Sequence, residues 1–153
     1  MKQEILETVQ ENPGIHFRGI QREVDCSSTT LNYHINDLDF RERDIRGYRR
    51  FYPQKIPEKF DRSLAALNHD VRGLMLYQMK EGVSQKALVG SLDLSKSTVS
   101  SHLKVLKEDG LVEEERDGRS KTLFLSDSAS KALSRFASDI LDEASDGFIE
   151  MWE

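Results

Sequence analysis

Two stretches of this chain repeat one another at a fixed distance. CSSTTLNYHINDL runs from Cys26 to Leu38 and LSKSTVSSHLKVL from Leu94 to Leu106, and Ser, Thr, His and Leu recur in them 68 residues apart. The register extends upstream at the same offset. Gly14 aligns with Gly82, Ile15 with Val83, Ile20 with Leu88, Val24 with Leu92 and Asp25 with Asp93. Apolar positions fall on apolar positions, so one fold unit is built twice. A chain of 153 residues then divides into two units with modest cores.

Each copy reads as three helices. Residues 2–11 put Ile5, Leu6 and Val9 on one face, and Pro13 and Gly14 stop that helix. Residues 16–24 make a second short helix. After a tight turn at Asp25 to Ser27, a serine caps a third helix in which Leu31, Ile35 and Leu38 form the inward stripe. In the second copy the helices fall at about 69–80, at 84–91 and after Ser95, with Val99, Leu103 and Leu106 inward and Gly110 as the stop. Two short helices joined by a tight turn are a helix-turn-helix.

A hairpin follows each third helix. LVEEERDGRSKTLFLS carries Asp117-Gly118 between two apolar ends, a strong hairpin signal. RERDIRGYRRFYP, with Gly47 at its turn, is the shorter counterpart. The expected fold is mainly α with small β-hairpin wings: two tandem winged helix-turn-helix domains plus a C-terminal helix. The expected division is 1–55 for the first domain, 56–66 for a linker, 67–126 for the second domain and 127–153 for a dimerisation helix with an acidic tail.

The first copy resembles the N-terminal domain of archaeal tandem winged-helix regulators in NPGIHF, in YHI and in the arginine-rich RRFYP. The second resembles the ArsR/MarR-type winged helix in LSKSTVSSHLKVLKEDGLVE. LNHDVRGLML is similar to that family's first helix, although Asp70 stands where a proline is common. The resemblance covers about residues 5–126. It implies a sequence-specific DNA-binding transcription regulator that acts by occupying promoter DNA. It implies no metal sensing, because the cysteine-bearing helix of metal-responsive relatives has no counterpart. The alternative is a winged-helix protein-interaction adaptor that reads no sequence.

A helix-turn-helix lays its last helix in the major groove. With the inward stripe removed, the outward residues are Ser28, Thr29, Asn32, Tyr33 and Asn36 in the first copy. In the second they are Lys96, Ser97, Ser100, Ser101 and Lys104. Amides and hydroxyls suit base edges and phosphates alike. The first wing adds Arg46, Arg49 and Arg50 near its tip. Its segment 41–53 holds five arginines against Glu42 and Asp44, and it is the stronger cationic signal. Arg41 and Arg43 are read as partners of neighbouring acids, and Phe51 and Tyr52 as core residues. The second wing adds Arg116, Arg119 and Lys121, with Glu113, Glu114 and Glu115 turned away from the DNA.

Composition excludes several alternatives. The net charge of −5 would argue against nucleic acid, but it lies wholly in residues 127–153, which hold seven acids against Lys131 and Arg135. The longest apolar run, Leu74 to Tyr77, is far short of the roughly 20 residues of a membrane helix. The lone Cys26 permits no intrachain disulfide or cysteine cluster, which fits a cytoplasmic setting. No metal, cofactor or catalytic constellation is expected, so the chain does not read as an enzyme. His34 and His102 occupy equivalent positions and are read as structural. Leu133, Phe136, Ile140 and Leu141 share one face of the last helix and are read as a homodimer seam.

Overall fold

The computed structural model describes residues 1–136. The first unit comprises α1 (Lys2–Glu11), β1 (Ile15–His16), α2 (Phe17–Val24), α3 (Ser28–Ile35), β2 (Phe40–Ile45) and β3 (Tyr48–Pro53). A 3₁₀ turn at Glu58–Phe60 leads into α4 (Asp61–Leu67). The second unit repeats the plan with α5 (Asp70–Gln78), β4 (Val83–Ser84), α6 (Gln85–Leu92), α7 (Lys96–Glu108), β5 (Val112–Asp117) and β6 (Ser120–Leu125), followed by α8 (Asp127–Phe136). The sheets have matching antiparallel orders, β1-β3-β2 and β4-β6-β5.

The repeat is visible in the backbone. Asp25 and Asp93 end α2 and α6 in the left-handed region, at φ 53° and 51°. Ser27 Oγ and Ser95 Oγ then accept from the N–H groups of Thr30 and Thr98, both at 3.1 Å. Each cap satisfies an orphan donor and contributes about 1 kcal/mol. The units diverge after this point. α3 stops at Ile35, where the poor helix formers Asn36 and Asp37 follow, so Leu38 lies in a turn and not in the helix. α7 runs on to Glu108. The wing offset grows from 68 to 72 residues, Phe40 matching Val112. Those four residues add about one turn, which leaves the face inward.

Residues 56–66, read as a linker from their proline and charges, are packed instead. Ile56, Phe60, Leu64, Ala65 and Ala66 are buried in one cluster with Ile45 and Tyr52 of the first wing and Met75, Leu76 and Met79 of α5. Phe51 faces the other way, into the core of Ile5, Val9, Ile20 and Leu31. β3 is thus buried on both faces, and α4 joins the two units. Gly14 makes that join possible. Its φ is +91°, and a Cβ there would sit 2.8 Å from the Leu64 carbonyl carbon.

α8 does not present a free seam over its described length. Ala129, Ala132 and Leu133 are buried in the second unit's core, and the Phe136 ring lies 5.4 Å from that of Phe60. Leu133 and Phe136, expected at a dimer interface, are therefore engaged within their own chain. Ile140 and Leu141 lie outside the described residues.

Candidate nucleic-acid interface

The third helix of each motif presents a polar face. Ser28, Thr29, Asn32, Tyr33 and Asn36 are all exposed, as are Lys96, Ser97, Ser100, Ser101 and Lys104. The helix before it steadies one hydroxyl in each copy. Gln21 Nε2 donates to Ser28 Oγ at 3.1 Å, and Gln85 Nε2 donates to Ser100 Oγ at 2.9 Å. Ser101 Oγ donates back to the Ser97 carbonyl, so it faces outward chiefly as an acceptor. Lys96 and Lys104 form no ion pair among the described residues.

The first wing differs from expectation, because tertiary partners take its arginines. Arg50 is 6% exposed and donates to the Gly14 carbonyl at 3.1 Å. It is a buried strut and cannot meet a phosphate from this position. Arg49 donates to both carboxylate oxygens of Glu42 (2.8 and 3.2 Å) and to Asn32 Oδ1 (3.2 Å), with its guanidinium 5.1 Å from the Phe17 ring centroid. It positions a residue of the reading helix. Arg46 occupies the hairpin turn with Gly47, both at positive φ, as a two-residue type I′ turn requires. Its guanidinium reaches across to the second unit, to Asp109 at 3.0 and 3.1 Å and Glu108 at 3.2 Å.

Arg41 and Arg43 are paired as anticipated, but with a distant acid. Both donate to Asp61, which is fully buried at the start of α4. The hydrogen bond to Asp61 holds Arg41 more firmly protonated than a free arginine. The Tyr52 hydroxyl donates to the Asp61 carbonyl at 2.7 Å. Burial, then the nearby Asp61 charge, moves the Tyr52 phenol well above its ordinary range.

In the second wing Arg116 and Arg119 are exposed, and neither forms an ion pair among the described residues. Lys121 lies 3.9 Å from Glu114, which also pairs with Lys107 of α7. That places Glu114 against the helix.

Two cations escaped the reading of the sequence. Arg18 and Arg22 are exposed, one turn apart on α2. They border an open groove of about 720 Å³ with His16, Gln21, Asp25 and Tyr48. The first helix of a helix-turn-helix crosses the DNA backbone, so the i, i+4 arginine pair in FRGIQREV was a usable signal.

The histidines are structural participants. His102 Nδ1 accepts from Arg72 Nε at 3.3 Å, and His69 Nδ1 accepts from the Arg72 N–H at the start of α5. Burial, then the charge of Arg72, lowers His69 to about 4 and His102 in the same direction. Cys26 is half-buried against the first core, as its alignment with apolar Leu94 suggests.

Comparison with known proteins matches each unit separately. Residues 1–64 match a family described as an N-terminal HTH domain. Residues 74–121 match the MarR family. An uncharacterized HTH-type transcriptional regulator of Methanocaldococcus jannaschii is 22% identical over 134 residues, which are 85% of this chain and 34% of that protein. The chain thus spans about a third of that curated relative's length. Among solved structures, HlyU from Vibrio cholerae is 29% identical over 50% of this chain and 89% of its own, with a TM-score of 0.44. The transcriptional repressor BigR from Xylella fastidiosa is 27% identical over 47% of this chain and 76% of its own, with a TM-score of 0.41. MepR of S. aureus, solved in complex with DNA, is 27% identical over 57% and 77%, also at 0.41.

Proposed function

We propose that this chain, a tandem winged helix-turn-helix protein with a MarR-like second domain, is a sequence-specific DNA-binding transcription regulator. It would act by occupying promoter DNA. The observation that carries the reading is the pair of exposed polar faces on α3 and α7, which occupy equivalent places in the two units. Amides and hydroxyls there address base edges. Exposed Arg116, Arg119, Lys96 and Lys104 supply phosphate contacts in the second unit, and Arg18 and Arg22 supply them in the first.

An adaptor would need an apolar docking patch. The large exposed apolar side chains among the described residues are Met1, Tyr33 and Tyr48, and two of these are tyrosines beside the polar faces. In this reading the protein works in the cytoplasm, and no described helix is long and apolar enough to cross a membrane. A homodimer belongs to the same reading. Its seam would fall beyond Phe136, where Ile140 and Leu141 continue the apolar spacing of the sequence.

Selection of binding sites from random duplexes tests the reading. The wild-type chain should enrich a defined sequence, and Asn32→Ala and Ser100→Ala should each relax it at separate positions. One lost bidentate base contact costs about 1–3 kcal/mol. Enrichment of no sequence, or of the same one by both variants, would refute α3 and α7 as readers.

A further inference from the structure

A cleft of about 220 Å³ lies where the first wing meets the second unit. Its walls carry Arg46, Arg50, Arg62, Arg72, His69 and Asp109. Four guanidiniums thus converge on a space that holds one carboxylate. Asp109 is already shared, since Arg46 and Arg62 both donate to it at 3.0 to 3.2 Å. Arg50 and Arg72 reach no carboxylate among the described residues. Arg50 has only the Gly14 carbonyl as a partner, and its Nε is buried without one. Arg72 Nε has only the ring nitrogen of His102. A guanidinium removed from water without a counter-charge is costly. Burial and mutual repulsion accordingly weaken proton binding by both, Arg72 acting on Arg50 and Arg46 on Arg72.

We infer that this cleft is a binding site for a small oxyanion, a phosphate or short carboxylate, held chiefly by Arg50 and Arg72. An oxyanion supplies the missing charge and accepts the planar, paired donors that guanidiniums offer. The volume lies below the roughly 300 Å³ at which drug-sized sites begin, which suits a compact ligand. A phosphate within a DNA backbone carries a sugar on each side and cannot follow into a recess of that size. The interior arginine, Arg50, is 6% exposed and lies with its guanidinium 5.6 Å from the Tyr48 ring centroid. The site is bipartite. Arg50 comes from β3 of the first unit and Arg72 from α5 of the second. An occupant therefore favours the one arrangement of the two units that brings these residues together, and with it one spacing of the two polar faces.

Calorimetric titration of the full chain at constant ionic strength tests this, with inorganic phosphate and malonate as separate titrants. At least one should bind with 1:1 stoichiometry and Kd below about 1 mM, and the tighter of the two identifies the ligand as phosphate-like or carboxylate-like. Arg72→Gln should weaken it at least about tenfold, the loss of a charged hydrogen bond. Arg119→Gln, on the exposed second wing, should leave it unchanged. Arg50→Gln should abolish binding if it folds, and half-buried Arg72 keeps the test open if it does not. Weaker binding than about 1 mM by both titrants overturns the site, as does equal loss in Arg72→Gln and Arg119→Gln. Displacement of the bound anion by a short duplex also overturns it, assigning the arginines to DNA.

Discussion

The hairpins at 40–53 and 112–125 hold the same place in their units, and each pairs six residues with six. By charge alone the first is the richer, with five arginines against two acids, while glutamates crowd the second. Their cations are engaged in opposite ways. In the first wing Arg41 and Arg43 hold Asp61, Arg46 holds Asp109 and Glu108, Arg49 holds Glu42 and Asn32, and Arg50 holds the Gly14 carbonyl. In the second, Arg116 and Arg119 stand exposed and unpaired among the described residues. The charge of a segment therefore does not measure the charge it can offer a ligand. An arginine that is already bidentate to a carboxylate must break that pair before it can meet a phosphate. The first wing acts as a joint between units, and the second is free to act as a DNA contact.

The helix after each wing sharpens the contrast. α4 is fastened by a buried ion network on Asp61, while α8 is fastened by Ala129, Ala132 and Leu133. The largest predicted effect follows from this. Asp61→Ala leaves two arginines without their buried partner and should destabilise the chain by about 3–5 kcal/mol in urea unfolding. A loss near zero would mean that the network is dispensable and the first wing is not a joint.

Acid should act next, and at the same joint. His69 titrates near 4 in the folded chain because burial and Arg72 oppose its charge. Unfolded, it takes up a proton near 6.5. The unfolded state thus binds more protons between these values, so stability is full above about 6.5 and falls as pH drops toward 4. Protonation also ends the acceptance by its Nδ1 that caps α5. His69→Gln should flatten stability over this window, and an unchanged slope would separate His69 from the joint.

The smallest effect belongs to Arg46→Ala. Its side chain is partly exposed and pairs across the units, so the loss should not exceed about 1 kcal/mol. The sign is the informative part. The variant should loosen the junction without changing affinity for non-specific DNA.

Much of this was legible in the sequence because it is periodic. The repeat register, the inward stripes, the caps at Ser27 and Ser95, and the outward residues of both third helices all follow from spacing along one segment. The partners of the arginines do not. Asp61 lies 20 residues from Arg41, and Asp109 lies 63 from Arg46, distances that only the folded chain closes. The buried helix α4 was hidden for a related reason. QKIPEKFDRS reads as a linker until Tyr52 and Met75 supply a surface for Phe60 and Leu64. The repeat also concealed its own exception, since the four added residues of the α7 unit keep the apolar face in register.

The salt dependence of DNA affinity tests the contrast between the wings most directly. Neutralising one phosphate contact lowers the slope of log K against log salt by about 0.9. The account predicts that Arg116→Ala with Arg119→Ala reduces the slope by about 1.8, while Arg46→Ala with Arg49→Ala leaves it within error of the wild type. The reverse result, an unchanged slope in the second-wing pair and a reduced one in the first, would contradict it.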